Sequence, residues 1–294
     1  MDSLPQSLSA EREALLPRDD DVAFYEQHGW FVSPRVLPDD IIDRAIHGSE
    51  RYYRGERDMP FPLTSGYRDW KPDDADIVRN NEFVSLQNRE LRALALQPII
   101  GAIAARLART RRIRLLDDQL IYKPAGVVTN AAVGWHTDRA YWSNCTSDKM
   151  LTAWIPFHDC DEVRASLVVI DGSHTWSGLE DLRFFSHQHL EEIEATFHRA
   201  GREIVRVPMT LRKGQISFHH CRTIHGSYPN RSDAFRLALA VHLQDDANRY
   251  RPFRNAEGKD IHMVNEKLCR TLSDGRPDFT DPSAFPVLWS EDGG

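Results

Sequence analysis

The chain has 294 residues, with 37 Lys and Arg against 44 Asp and Glu and a formal net charge of -7. Its 41% hydrophobic and 28% charged residues match an ordinary globular composition, and the length suffices for a large core. The acidic balance excludes a phosphate-tracking basic surface, so no nucleic acid partner is expected, and no run approaches the ~20 apolar residues of a membrane span.

Residues 1–20 are polar and aperiodic and carry neither the basic nor the apolar stretch of a targeting segment. They are expected to form a loose tail on a cytoplasmic protein. Residues 21–294 read as a single domain, because no linker rich in Pro, Gly or Ser divides them. A short helix is expected from Val22 to its stop at Gly29, then an extended apolar run that ends at Pro38. Asp39 and Asp40 are placed to cap a helix with Ile41, Ile42, Ala45 and Ile46 on one face. Residues 56–84 mix Pro, Asp, Arg and aromatics without a period, and 86–109 reads as two helical pieces joined at Pro98. From there the period falls from about 3.6 to about 2. Strands are predicted at 113–123, 131–138, 150–158, 166–170, 204–207, 215–219 and 235–244, with one amphipathic helix at 190–200. A helical block followed by many short strands predicts a mostly β protein with flanking helices, a sandwich or jelly roll. Cys145, Cys160, Cys221 and Cys269 are widely spaced without a C-x-x-C pair, and reduced thiols are expected.

His136 and Asp138 end a predicted strand, where residues two apart point to one face and can grip one ion together. An H-x-D triplet is uninformative by itself. The second element is His225, just beyond the strand at 215–219. Two His and one carboxylate with open positions are the arrangement of non-haem Fe(II) oxygenases, whereas a structural zinc site is closed by four ligands. His219 and His220 are alternative donors, but they lie on opposite faces of one strand, which favours packing or hydrogen bonding for them. The third element is Arg236, which shares a strand face with Ala238 and Ala240. A buried Arg needs an anion. The small alanines leave room for a ligand carboxylate, although an acid from another strand would also serve.

Taken together, Gly134-Trp135-His136-Thr137-Asp138, the strand with Trp154, the turn Gly172-Ser173-His174, and His225-Gly226-Ser227 followed by Asn230 and Arg236 resemble the phytanoyl-CoA dioxygenase family of Fe(II)/2-oxoglutarate oxygenases. The likeness covers residues 119–244, joined by 24–38. It implies a double-stranded β-helix (jelly roll), with His136, Asp138 and His225 as iron ligands and Arg236 and Ser227 on the distal carboxylate of 2-oxoglutarate. By the same resemblance Gln119, Lys123 and Trp154 line the cosubstrate pocket. Trp142 falls where relatives place an aromatic residue against the substrate; Tyr141 and Arg139 are further substrate candidates, with loop packing or solvated surface as the plainer roles. The implied reaction hydroxylates an unactivated C–H bond of a small metabolite and converts 2-oxoglutarate and O2 to succinate and CO2. The Asp138 carboxylate fills the position that related halogenases vacate for halide. A metal-dependent hydrolase or lyase and a non-catalytic jelly-roll binder of small acids are the rival readings, the first of which leaves Arg236 and Ser227 without a role. The family name suggests a CoA thioester, but no Lys/Arg cluster offers a grip on a nucleotide diphosphate, which points to a smaller substrate. No feature of the sequence sets an oligomeric state. Where relatives carry a Gly-containing turn, this chain has Glu162-Val163-Arg164-Ala165-Ser166, a departure that bears on a hairpin rather than on the metal site.

Overall fold

A computed structural model describes residues 8–61, 76–127, 129, 131–178, 182–255 and 257–292. Residues 1–7 of the expected tail and 62–75 of the aperiodic stretch lie outside them. The remainder of the tail is not loose. Ala10–Glu13 form a helix, α1, whose Arg12 N–H donates to the Ser9 hydroxyl. Leu8 is buried, and Leu15 and Leu16 pack against the main core. Three apolar side chains dock this segment, too few to register as a period.

Helix α2 (Asp19–His28) ends at Gly29, where a φ of 78° suits a residue without a Cβ. β1 (Trp30–Val32) follows, then α3 (Asp39–Tyr53), which buries Ile42, Ala45, Ser49 and Tyr52. Pro38 occupies the N-cap of α3, so Asp39 and Asp40 lie in its first turn, where their charge still complements the helix end. β2 (Arg79–Glu82) precedes α4 (Arg89–Ala95) and α5 (Pro98–Leu107). The strands then come in quick succession: β3 (Arg112–Lys123), β4 (Val133–His136), a single helical turn α6 (Asp138–Tyr141), β5 (Leu151–Pro156) and β6 (Val168–Ile170). After α7 (Leu190–Arg199) come β7 (Arg206–Pro208), β8 (Ser217–His220), β9 (His225–Ser227) and β10 (Arg236–Asp245). The C-terminal part adds β11 (Phe253–Arg254), β12 (Asp260–Ile261), α8 (Val264–Leu268) and β13 (Val287–Ser290).

Two main antiparallel sheets result, beside the two-stranded pair β11-β12. The major sheet runs β1-β8-β5-β10-β3-β13, with β2 also on β3, and the minor sheet runs β4-β9-β6-β7. This is the jelly-roll arrangement expected, built from open sheets. On β10, Leu237, Leu239, Val241 and Leu243 pack beneath α3, α4 and α5, while Ala238 and Ala240 face the minor sheet with Trp154, Ile121 and Val169. Strand alternation thus makes one side of β10 the core and the other the wall of an interior space. Register fills that wall in rows: Ala240 lies between Gln119 and Trp154, and His242 between Asp117 and Thr152. Helix α7 closes the far side of the minor sheet, its Ile193 and Phe197 packing with Trp135, Val168 and Ile170. All four cysteines are free. Among the described residues no helix is long and apolar enough to cross a membrane.

Candidate active site

His136 ends β4 and pairs directly with His225, which lies beyond β8 and itself opens the short strand β9. Three residues are too short a run for alternation to reveal. Asp138 follows at the start of α6. One ligand atom from each of these three side chains comes within 4.8 Å of the others, and all three residues are buried. The His136 Nδ1 donates to the Gly134 carbonyl at 2.8 Å and the His225 Nδ1 to the Thr223 carbonyl at 3.0 Å, which turns both Nε2 atoms toward the common centre. The His225 Nε2 lies 3.5 Å from Asp138 Oδ1. Burial pushes both imidazoles below their ordinary pKa and so keeps them neutral. Burial also works to raise the Asp138 carboxyl, but His225, His219 and His242 together hold it well below the usual carboxylate range. Two neutral imidazoles and one carboxylate suit a divalent iron that keeps open positions.

Arg236 lies deeper in the same interior. It is 2% exposed, its Nε and Nη1 have no hydrogen-bond partner among the described residues, and its Nη2 reaches the Ser227 hydroxyl at 3.5 Å. No Asp or Glu among the described residues pairs with it. Burial lowers its pKa to about 10, so it stays a cation, and its guanidinium carbon lies 5.6 Å from the centre of the Trp154 ring. The pocket lined by Arg236, Ser227, Trp154 and Gln119 also contains His136, Asp138 and His225. A buried guanidinium with unused donors facing a metal-ligand set fits a cosubstrate carrying a free carboxylate.

Toward solvent the pocket opens into a chamber of about 450 Å³. Tyr141 and Trp142 line it, with Phe185, whose ring centre is 5.0 Å from that of His136. Two other predicted residues are placed differently. The Lys123 ammonium sits next to Arg236 but donates to the Ser227 and Tyr228 carbonyls at 3.1 and 2.7 Å, bracing β9 and the residue after it. Arg139 is turned away from the chamber, donating to the Trp142 and Cys145 carbonyls and to Asp148, so it ties down the loop after α6. Each charge is absorbed by local groups that a linear reading does not bring together.

Sequence reasoning missed Thr152 and His242. The Thr152 hydroxyl donates to Asp138 Oδ2 at 2.5 Å, and His242 Nδ1 is 2.8 Å from that hydroxyl. His219, considered above as an alternative ligand, donates from Nε2 to the same Oδ2 at 3.2 Å. The signal available for His242 was its strand face, shared with Arg236, Ala238 and Ala240.

Residues 25–238 match the profile of the Phytanoyl-CoA dioxygenase (PhyH) family. The peroxisomal phytanoyl-CoA dioxygenase of Bos taurus is 27% identical over 259 residues, which cover 82% of this chain and 72% of that protein. Among solved structures, the non-haem alpha-ketoglutarate-dependent carbocyclase SnoK from nogalamycin biosynthesis is similar with a TM-score of 0.68 and 25% identity, covering 92% of this chain and 96% of that one. The epimerase SnoN, solved with Fe3+, alpha-ketoglutarate and nogalamycin RO, shares the fold with a TM-score of 0.64 at 24% identity, covering 95% of this chain and 99% of that one.

Proposed function

The chain belongs to the phytanoyl-CoA dioxygenase family of 2-oxoglutarate-dependent non-haem iron dioxygenases, and from that premise we propose that it hydroxylates an unactivated C–H bond of a small metabolite. In this reading His136, Asp138 and His225 hold the iron, Arg236 with Ser227 takes the distal carboxylate of 2-oxoglutarate, and Gln119 and Trp154 wall the cosubstrate. The observation that carries it is the buried guanidinium with two N–H-bearing atoms unpartnered, in the pocket that also gathers the three donors. Iron with 2-oxoglutarate and O2 supplies the oxidant for the C–H bond, and 2-oxoglutarate leaves as succinate and CO2.

The protein's own contribution is orientation and exclusion. Backbone carbonyls fix both imidazole planes, the rings of Trp154 and Phe185 keep water out, and the chamber sets a substrate carbon against the His136 and Asp138 side of the centre. A chamber of about 450 Å³ lies in the range of small-molecule sites. Among its described lining residues Arg183 is the one Lys or Arg, and Glu82 and Asp117 are carboxyls. That wall is poorly suited to a nucleotide diphosphate and favours a small metabolite over a CoA ester. The Asp138 carboxylate occupies the position a halide would need, which favours hydroxylation.

Anaerobic addition of Fe(II) and then 2-oxoglutarate should produce a visible charge-transfer band. A screen of metabolites against the iron-loaded protein should then find one that accelerates succinate release and returns hydroxylated. Absence of the band defeats the ligand assignment; stimulation by CoA esters alone defeats the small-metabolite assignment.

A further inference from the structure

The two oxygens of Asp138 are treated differently. Oδ1 faces the His225 Nε2, while Oδ2 accepts from Thr152 and from His219. Thr152 has a single hydroxyl proton, and a carboxylate can only accept, so that proton points to Oδ2. The 2.8 Å contact on the other side of the hydroxyl must then be His242 donating from Nδ1. His242 is accordingly the Nδ1–H tautomer, its ring 5.1 Å from that of Trp142 and lining the chamber. His219 lies 2% exposed, and its remaining nitrogen, Nδ1, has no partner. The three side chains come from β5, β8 and β10 of the major sheet, so the sheet that does not carry the carboxylate holds its outer oxygen.

We propose that Thr152, braced by His242 and seconded by His219, is a positioning residue that makes Asp138 a one-oxygen metal ligand by keeping Oδ2 occupied. This rests on the reading that Asp138 binds the metal. With Oδ2 released, the carboxylate is free to rotate and to offer both oxygens, taking up a coordination position that cosubstrate or dioxygen needs. The hydroxyl of Thr152 therefore preserves open positions rather than supplying a ligand, and its loss should alter coordination as well as affinity.

Full-length Thr152→Val and Thr152→Ser, titrated with Co(II) in the absence of 2-oxoglutarate, test this. The valine variant keeps the shape and lacks the hydroxyl. It should change the intensity of the Co(II) d–d absorption and weaken Co(II) binding about tenfold, while the serine variant should match the wild type in both. Wild-type absorption in Thr152→Val, or a serine variant that behaves like valine, overturns the proposal, since either outcome leaves only packing at this position. Should Thr152→Val not fold, Thr152→Ala removes the same hydroxyl from Oδ2 and is read by the same absorption change, with an unchanged spectrum again overturning it. Asp138→Ala separates the two readings. If it binds Co(II) like the wild type, the ligand assignment fails; if it loses Co(II) while Thr152→Val is unaltered, only the positioning role fails.

Discussion

At the scale of single residues, the centre combines two neutral imidazoles and a carboxylate with one stranded cation. Arg236 has lost its water and gained only the distant Ser227 hydroxyl, an arrangement that costs free energy until an anion arrives. Truncating one partner of a buried charge pair typically costs about 2–5 kcal/mol. Arg236→Ala should therefore weaken 2-oxoglutarate binding at least tenfold while leaving Co(II) affinity in place, as calorimetric titration of each ligand will report; equal 2-oxoglutarate affinity removes Arg236 from the site. How legible each residue was follows from where its partner lies. Arg236 shares a strand face with two alanines, so periodicity exposes it, whereas the H-x-D of His136 and Asp138 gains meaning only from the wider motif resemblance, Asp138 opening α6 rather than ending a strand. Thr152 and His242 meet Asp138 through strand register, which no local pattern encodes. The resemblance puts Lys123 in the cosubstrate pocket and Arg139 is a substrate candidate, but neither motif position nor charge displays the backbone carbonyls that absorb them.

Among elements, β4 illustrates how close approach builds the chamber. The segment around 182–185 lies along it: Gly134 N–H donates to the Phe185 carbonyl at 2.9 Å and Thr137 N–H to that of Leu182 at 3.2 Å. A Cβ on Gly134 would fall 1.9 Å from the Phe184 carbonyl oxygen and 2.6 Å from that of His187, both backbone atoms that cannot swing aside. Gly134→Ala should push this segment, with Arg183 and Phe185, off the strand and cost about 1–3 kcal/mol, the usual range for overpacking. Urea denaturation measures it; an unchanged midpoint contradicts the tight docking. The departure at 162–166 is resolved at this scale as well. Ala165 adopts a φ of 57°, in the left-handed region that favours glycine, and the turn closes through Ser166 N–H to the Asp161 carbonyl. The strand at 235–244 was legible because the face with Phe235, Leu237, Leu239, Val241 and Leu243 is apolar throughout, whereas β2, with the sequence Arg-Asn-Asn-Glu, has no alternation to read.

Over the whole molecule, the proposed ligands are divided between sheets. His136 and His225 belong to the minor sheet and Asp138 follows β4, while Arg236, Gln119 and Trp154 belong to the major one. Metal and cosubstrate together would join the two. Each ligand that binds only the folded state adds stability by mass action, about 2.7 kcal/mol at a hundredfold excess over its dissociation constant. Co(II) should accordingly raise the melting temperature by roughly 5 °C or more, and 2-oxoglutarate should raise it further. Chelation should reverse the first increment, and Arg236→Ala should abolish the second. Calorimetric scans showing no metal-dependent shift contradict a centre formed only in the native fold. The chamber, by contrast, is walled in part by connecting segments: Arg183 and Phe185 precede α7, and His262 precedes α8. Part of that wall is thereby inherited from stretches of chain that hold none of the proposed ligands, so drift there can retool this catalyst for new chemistry without disarming it.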